Sequence, residues 1–144
     1  MSTLLEKLQS REEILADDAL FEEVHAIKAD NEVWIAELNT GYNLPAKYVL
    51  HTVGPIVYDQ LTDLERDQLR SSYQNCLELA AQQGLTSVAF CCISIGEFHF
   101  PQEEAAQIAV NTVKEFLKTH PDFHVIFNVF KDEDLKIYEE LLGK

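Results

Sequence analysis

Apolar and polar positions alternate with helical period over much of the chain. Residues 3–9 and 11–28 fit helices, with Ser10 as a possible N-cap between them. In the second stretch Ile14, Leu15, Phe21, Val24 and Ile27 form an apolar stripe. Val33-Trp34-Ile35 opens a short strand-like run, and Asn39 to Asn43 carries the residues of a turn. Residues 47–53 predict a strand closed by Gly54-Pro55. Residues 62–83 predict a long helix, with Leu69, Tyr73, Cys76, Leu77 and Ala80 on one face. Thr62 and Glu65 have the spacing of a capping box at its start, and Gly84 stops it. The run Ser87 to Ile93 is almost wholly apolar, which suits a strand covered on both faces.

A further helix is expected over 101–118. Pro101 suits its first turn, Glu103 and Glu104 suit the positive end of its dipole, and Ala106, Ala109, Val110, Val113, Phe116 and Leu117 form its buried stripe. Val125 to Phe130 predicts a strand. Asp132 is then the expected cap of a last helix through Leu142, with Leu135, Tyr138 and Leu142 facing inward. From residue 47 onward, strands and helices alternate, which implies an α/β fold with a parallel or mixed sheet. Ligands of such sheets sit at the carboxyl ends of the strands. Two loops take that position, Ser94 to Phe100 and Phe130-Lys131.

A chain of 144 residues with 47% hydrophobic and 10% aromatic content supports one domain with a sizeable core. No apolar run approaches the roughly 18–20 residues of a membrane span. The N-terminal stretch is acidic where a signal peptide is basic, so a cytoplasmic location is expected. The formal net charge of -14 disfavours nucleic acid, which is gripped by Lys and Arg. A nucleotide ligand remains compatible, because backbone amides bind phosphate without a basic patch. Cys76, Cys91 and Cys92 are flanked by apolar residues and read as buried free thiols rather than a disulfide framework. As neighbours in a strand, Cys91 and Cys92 face opposite ways and form no shared ligand pair.

Three segments together resemble one family. They are GYNLPAKYVLHTVGPIV (Gly41 to Val57), the stretch from Ser72 to Leu117 that contains CCISIGEFHFP, and VIFNVFKDEDLKIYEELL (Val125 to Leu142). In this order and spacing they cover about two-thirds of the chain and resemble the macrodomains, which bind ADP-ribose. GEFHFP and YNLPAKYV are most similar to the zinc-containing bacterial branch, whose members remove ADP-ribose from proteins. The resemblance implies a three-layer α/β/α fold with a mixed sheet, here reduced in strand number by loss of the first strands. Residues 1–144 would form one domain, a divergent helical segment over 1–40 followed by a macrodomain-like core over 41–144.

The resemblance also implies a ligand site. The family wraps the phosphates of ADP-ribose with the amides of a Ser-Thr-Gly loop, which here is Ser94-Ile95-Gly96-Glu97-Phe98, with Ile95 in place of Thr. Phe130 corresponds to the aromatic that stacks on adenine in many relatives, and Asn128 lies two residues before it. No residue in 1–40 matches the family's adenine-recognising Asp, its Asn-Ala-Ala-Asn motif or its Gly-rich ribose loop. The zinc branch places its Cys and His ligands upstream of YNLP, where this chain has His25 and no Cys. One His makes no zinc site, so no metal, no cofactor and no catalytic residue are expected.

Each candidate also has a plain reading. The loop Ser94 to Phe98 is either a phosphate cradle or an inherited turn, and Phe130 either stacks on adenine or packs at an edge. His51 and His99 suit structural roles more than titrating ones, and His120 to His124 suits a solvated turn. The acidic run Asp132-Glu133-Asp134 is explained as helix-start chemistry. The expected function is vestigial or weak binding of ADP-ribose, or a related nucleotide, without hydrolysis. Two alternatives stay open. One is an interaction or self-assembly module, for which a homodimer is an even expectation because a lost central strand exposes edges. The other is an ADP-ribosyl hydrolase completed by another chain.

Overall fold

The computed structural model describes residues 36–40 and 46–143. The helices expected over 3–9 and 11–28, the start of the first strand run and most of the turn after Thr40 lie outside the described residues. Strand β1 (Ala36–Thr40) pairs antiparallel with β2 (Tyr48–Thr52), in a register running from Ala36↔Thr52 to Thr40↔Tyr48. Helix α1 (Asp63–Gln82) follows. Its start is fixed as expected: the Thr62 N–H donates to the Glu65 carboxylate at 2.8 Å. Its end is closed by bonds from the Gly84 N–H to the Ala81 carbonyl and from the Leu85 N–H to the Ala80 carbonyl, both 3.0 Å.

Strand β3 (Ser87–Phe90), helix α2 (Gln102–Thr119), strand β4 (His124–Phe127) and helix α3 (Asp132–Leu142) complete the chain. β3 and β4 run parallel, Ser87 opposite His124 and Phe90 opposite Phe127, joined through α2. α1 packs against α2, and α2 against α3. Leu69, Leu77, Ala80 and Ala109 of this helix layer are fully buried. Tyr73 sets its ring edge-on to Phe90 at 5.0 Å, and Phe127 meets Tyr138 at 4.9 Å, so both parallel strands dock on the helices through aromatics. Arg66 of α1 holds Glu104 in the first turn of α2 at 2.8 Å. No described helix is long and apolar enough to cross a membrane.

Several expectations need correction. β3 stops at Phe90 rather than reaching Ile93, because Tyr73 intercepts the backbone: its hydroxyl accepts from the Ile93 N–H at 3.2 Å and donates to the Cys91 carbonyl at 3.4 Å. β3 is also covered on one face only among the described residues. Val88 and Phe90 are buried while Ser87 and Ala89 are exposed. Cys91 continues that exposed side and Cys92 is half-buried, so of the three thiols only Cys76 is buried. β4 ends at Phe127, short of Phe130. The last helix takes Lys131 rather than Asp132 as its N-cap. Leu135 and Leu142 are exposed, and the inward positions belong to Asp134 and Tyr138. His120 is not simply solvated. It stacks on Phe116 with ring centres 4.0 Å apart.

The two strand pairs do not join among the described residues. The His124 N–H donates to the Thr86 carbonyl at 2.8 Å, and the Asn128 N–H to the Phe90 carbonyl at 2.7 Å. Even-numbered residues of β3 therefore serve β4, and the backbone groups of Ser87 and Ala89 point to the other edge. A cleft of about 710 Å³ separates that edge from β2. The helix layer should carry most of the stability. Replacing Leu77, which is fully buried, with Ala should lower the unfolding free energy by about 2–5 kcal/mol. The same change at Leu64, 63% exposed on the same helix, should alter it by less than about 0.5 kcal/mol. Urea unfolding of the two variants checks this; equal losses would contradict the packing.

Candidate functional site

Because β3 and β4 are parallel, the segments that leave them emerge at one end of the sheet. After β3 the chain turns sharply. Ser94 adopts φ 67, Gly96 φ 71 and His99 φ 60. Left-handed backbone at a non-glycine residue costs of order 1–3 kcal/mol, so the turn is held by its surroundings. The holding bonds are visible. The Phe100 N–H returns to the Ser94 carbonyl at 3.0 Å, the His99 N–H to the Gly96 carbonyl at 3.0 Å, and the Val57 N–H donates to the Phe98 carbonyl at 2.9 Å. Gly96 to Phe98 form one 3-10 turn, and α2 begins just beyond, at Gln102.

Among the described residues, this geometry leaves the leading amides of the turn, those of Ile95, Gly96 and Glu97, without an acceptor, as at a helical start. Gly96 is exposed and lacks a Cβ, so a ligand can approach its backbone closely. Ile95, the residue that departs from the family pattern, packs against the hydrophobic core. Its side chain anchors the loop, and its amide remains. The Ser94 side chain is buried, and its Oγ has no hydrogen-bond partner. A buried unpaired hydroxyl costs roughly 1–3 kcal/mol. Thr52 Oγ1, near the end of β2, is in the same position.

At the same end of the sheet Phe130 is 97% exposed, a bare aromatic face just past β4. Phe130 packs against no edge among the described residues. Asn128 lies beyond the strand rather than on its face; its side chain is exposed and its N–H is tied to β3. Glu97 is exposed. No Lys or Arg occurs between Ser94 and Phe98, and Lys131 is the exposed cation beside Phe130. The acidic first turn of α2 opposes an anion, although Arg66 neutralises Glu104, and that contact pulls the Glu104 carboxyl below its ordinary range. Among the described residues no three His, Cys, Asp or Glu side chains group to hold a metal ion.

Three neighbours of the site were not singled out from the sequence. Tyr73 reads as one more stripe residue, yet its hydroxyl shapes the start of the loop. Burial pushes the Tyr73 and Tyr138 phenols up, and the two hydroxyls share an environment with the Cys92 thiol. Gly54 reads as a strand terminator, yet it is buried against Ser94. Asp134 hides in an acidic run that suits a solvated helix start, yet it is 3% exposed, and its nearby charge adds to the burial that lifts Cys92. The groove between α1 and α2, of about 610 Å³ and lined by Arg70, Gln74, Phe116 and His120, lies away from this loop.

An α/β sheet that presents a glycine-containing loop and an exposed aromatic at the ends of parallel strands belongs to the class whose ligand sites lie at that end. The chain belongs to the Macro domain family, whose model matches residues 15–109, beginning upstream of Gly41. It is 51% identical over 111 residues to a protein-ADP-ribose hydrolase of Staphylococcus aureus, covering 76% of this chain and 42% of that protein. Among solved structures it is similar to the macro domain of ganglioside induced differentiation associated protein 2, with TM-score 0.81, 35% identity and coverage of 90% of this chain and 65% of that one. It is also similar to a Trypanosoma brucei macrodomain in complex with ADP-ribose, with TM-score 0.66, 39% identity and coverage of 75% and 45%. The chain therefore spans less than half the length of the curated relative it matches. The α/β fold expected from the sequence is the one observed.

The thiols beside the site differ in both exposure and acidity. Burial raises Cys76 to about 12 and Cys92 to about 11, from an ordinary 9.0, and also lifts Cys91, whose side chain is the exposed one of the three. At pH 8 iodoacetamide should label Cys91 first, Cys92 more slowly, and Cys76 only on unfolding. The folded protein holds the Cys76 and Cys92 protons more tightly than the unfolded chain. Their contribution to stability is therefore complete below about pH 9 and is lost as the pH rises towards 11 and 12. Mass spectrometry of the labelled protein and urea midpoints at pH 8 and pH 10 check both statements.

Proposed function

We propose that this chain holds ADP-ribose, or a smaller nucleotide fragment, weakly and without hydrolysing it. The observation that carries the reading is the pairing, at one end of the sheet, of a tightly turned loop whose leading amides have no acceptor among the described residues and a bare aromatic. The amides of Ser94 to Phe98 would take the diphosphate and Phe130 would stack on the base, with Asn128 beside it. Weakness follows from charge. The net charge of -14 and the carboxylates of Glu97 and Glu103 oppose an anionic ligand, and no cation stands in the loop.

The curated relative is named a hydrolase, and a macrodomain neighbour is titled as an ADP-ribose complex. Binding is the part of that activity which the described residues support. A general base needs a positioned water, and the loop's one carboxylate, Glu97, is exposed, with no side-chain partner among the described residues to position one. The same reading places the protein in the cytoplasm, where nucleotide ligands are abundant. A second reading, an interaction or self-assembly module, is favoured by the edge of β3 that no described strand pairs and by the exposed Ala89 and Ile126 beside it. A hydrolase completed by another chain would use the same edge.

Calorimetric titration with ADP-ribose separates the readings. Saturable binding is expected, and Phe130→Ala should weaken it by about 1–3 kcal/mol, roughly 5- to 150-fold. Release of ADP-ribose from a modified protein by the chain alone would contradict the non-hydrolytic reading. Absence of binding, with a doubled mass by light scattering, would favour assembly.

A further inference from the structure

Gly54 to Val57 cross the back of the loop and touch it at both ends. At one end, Gly54 is buried with its Cα directly over Ser94. A Cβ built there would overlap Ser94 Oγ and Ile93 Cγ2 and stand 3.3 Å from Ser94 Cβ. At the other end, the Val57 N–H donates to the Phe98 carbonyl at 2.9 Å. Between them Pro55 is fully buried, and Val57 is buried in the core. The strap leaves β2, which pairs only with β1 among the described residues. The loop, by contrast, leaves β3 of the other strand pair. It is thus a direct link from the β1–β2 pair to the loop, and it grips the loop on either side of Gly96.

We propose that the Gly54–Val57 strap is a positioning element that fixes the shape of the Ser94–Phe98 loop, with Gly54 as its critical residue. This rests on the binding role assigned to that loop above. The physical reason is one of space. Ser94 holds φ 67 with its hydroxyl buried, a conformation it keeps only while nothing occupies the volume above it. A side chain at position 54 strikes the side chains of Ile93 and Ser94 together, and the buried site leaves them room only by shifting the chain that carries the amides of Ile95, Gly96 and Glu97. A diphosphate site needs those amides aligned to within about 0.5 Å. Gly54 touches no ligand in this scheme and acts through Ser94 and Ile93.

The test is a double-mutant cycle on positions 54 and 94, read in two ways. Gly54→Ala should shift the amide resonances of residues 93–98 and weaken ADP-ribose binding by about tenfold or more. The cycle is run in an Ile93→Ala background, which removes the Cγ2 that the new methyl would also strike; there Ser94→Gly removes the hydroxyl and the Cβ in its path, and glycine accepts φ 67 without strain. In the Gly54→Ala/Ser94→Gly variant the loop resonances should return towards those of Ser94→Gly alone. Its affinity should be close to that of Ser94→Gly, rather than the product of the two losses. Loop resonances that ignore Gly54→Ala, or effects of the two changes that simply multiply, would overturn the strap. If the wild-type chain binds no ADP-ribose, the binding reading fails, and the resonance arm still decides the strap.

Discussion

Tyr73 joins the three things the molecule depends on. From the middle of α1 its ring packs edge-on against Phe90, locking the helix layer to the sheet. Its hydroxyl meets the backbone of Cys91 and Ile93 at the point where β3 ends. Beyond that point the chain cannot continue the ladder to β4, and it turns into the loop that begins at Ser94. A buried phenol satisfied by the backbone of one strand end is thus both a core contact and the origin of the site. The other aromatics extend the arrangement: Phe90 lies beside Phe127, and Phe127 against Tyr138, so α3 is placed by the same stack.

The loop is strained and well anchored, and the two properties need each other. Left-handed conformations at Ser94 and His99 persist because Ile95 and Phe100 are drawn into the core and because the Phe98 carbonyl is tied to Val57. The result is a fixed loop whose leading amides have no acceptor among the described residues. The surrounding charge works the other way, with carboxylates at Glu97 and Glu103 and no cation within the loop. Geometry permits the contact and electrostatics limits its strength. The weakness of the proposed binding rests on that balance.

Much of this was legible in the sequence, for identifiable reasons. The stripe Leu69, Tyr73, Cys76, Leu77 and Ala80 is the buried face of α1, and the Thr62–Glu65 box and Gly84 bound that helix within a residue or so. The family emerges from three ordered segments, and the model match and the solved neighbours agree. What failed was face and boundary. The run Ser87 to Ile93 is apolar throughout, so its alternation is invisible to composition; only the structure shows Ala89 and Cys91 turned away from the helices. Asp134 sits in a run of three acids, and nothing local marks the one that is buried. Gly54 and Ser94 are forty residues apart, so their contact has no local signature.

The most direct measurement is residue-resolved amide hydrogen exchange with and without saturating ADP-ribose. The account predicts that the Ile93, His99 and Phe100 amides, which have internal acceptors, are protected in both states. The Ile95, Gly96 and Glu97 amides should exchange rapidly in the free protein and slow when ADP-ribose is added. Unchanged exchange at these three amides, with new protection appearing in the α1–α2 groove or nowhere, would contradict it.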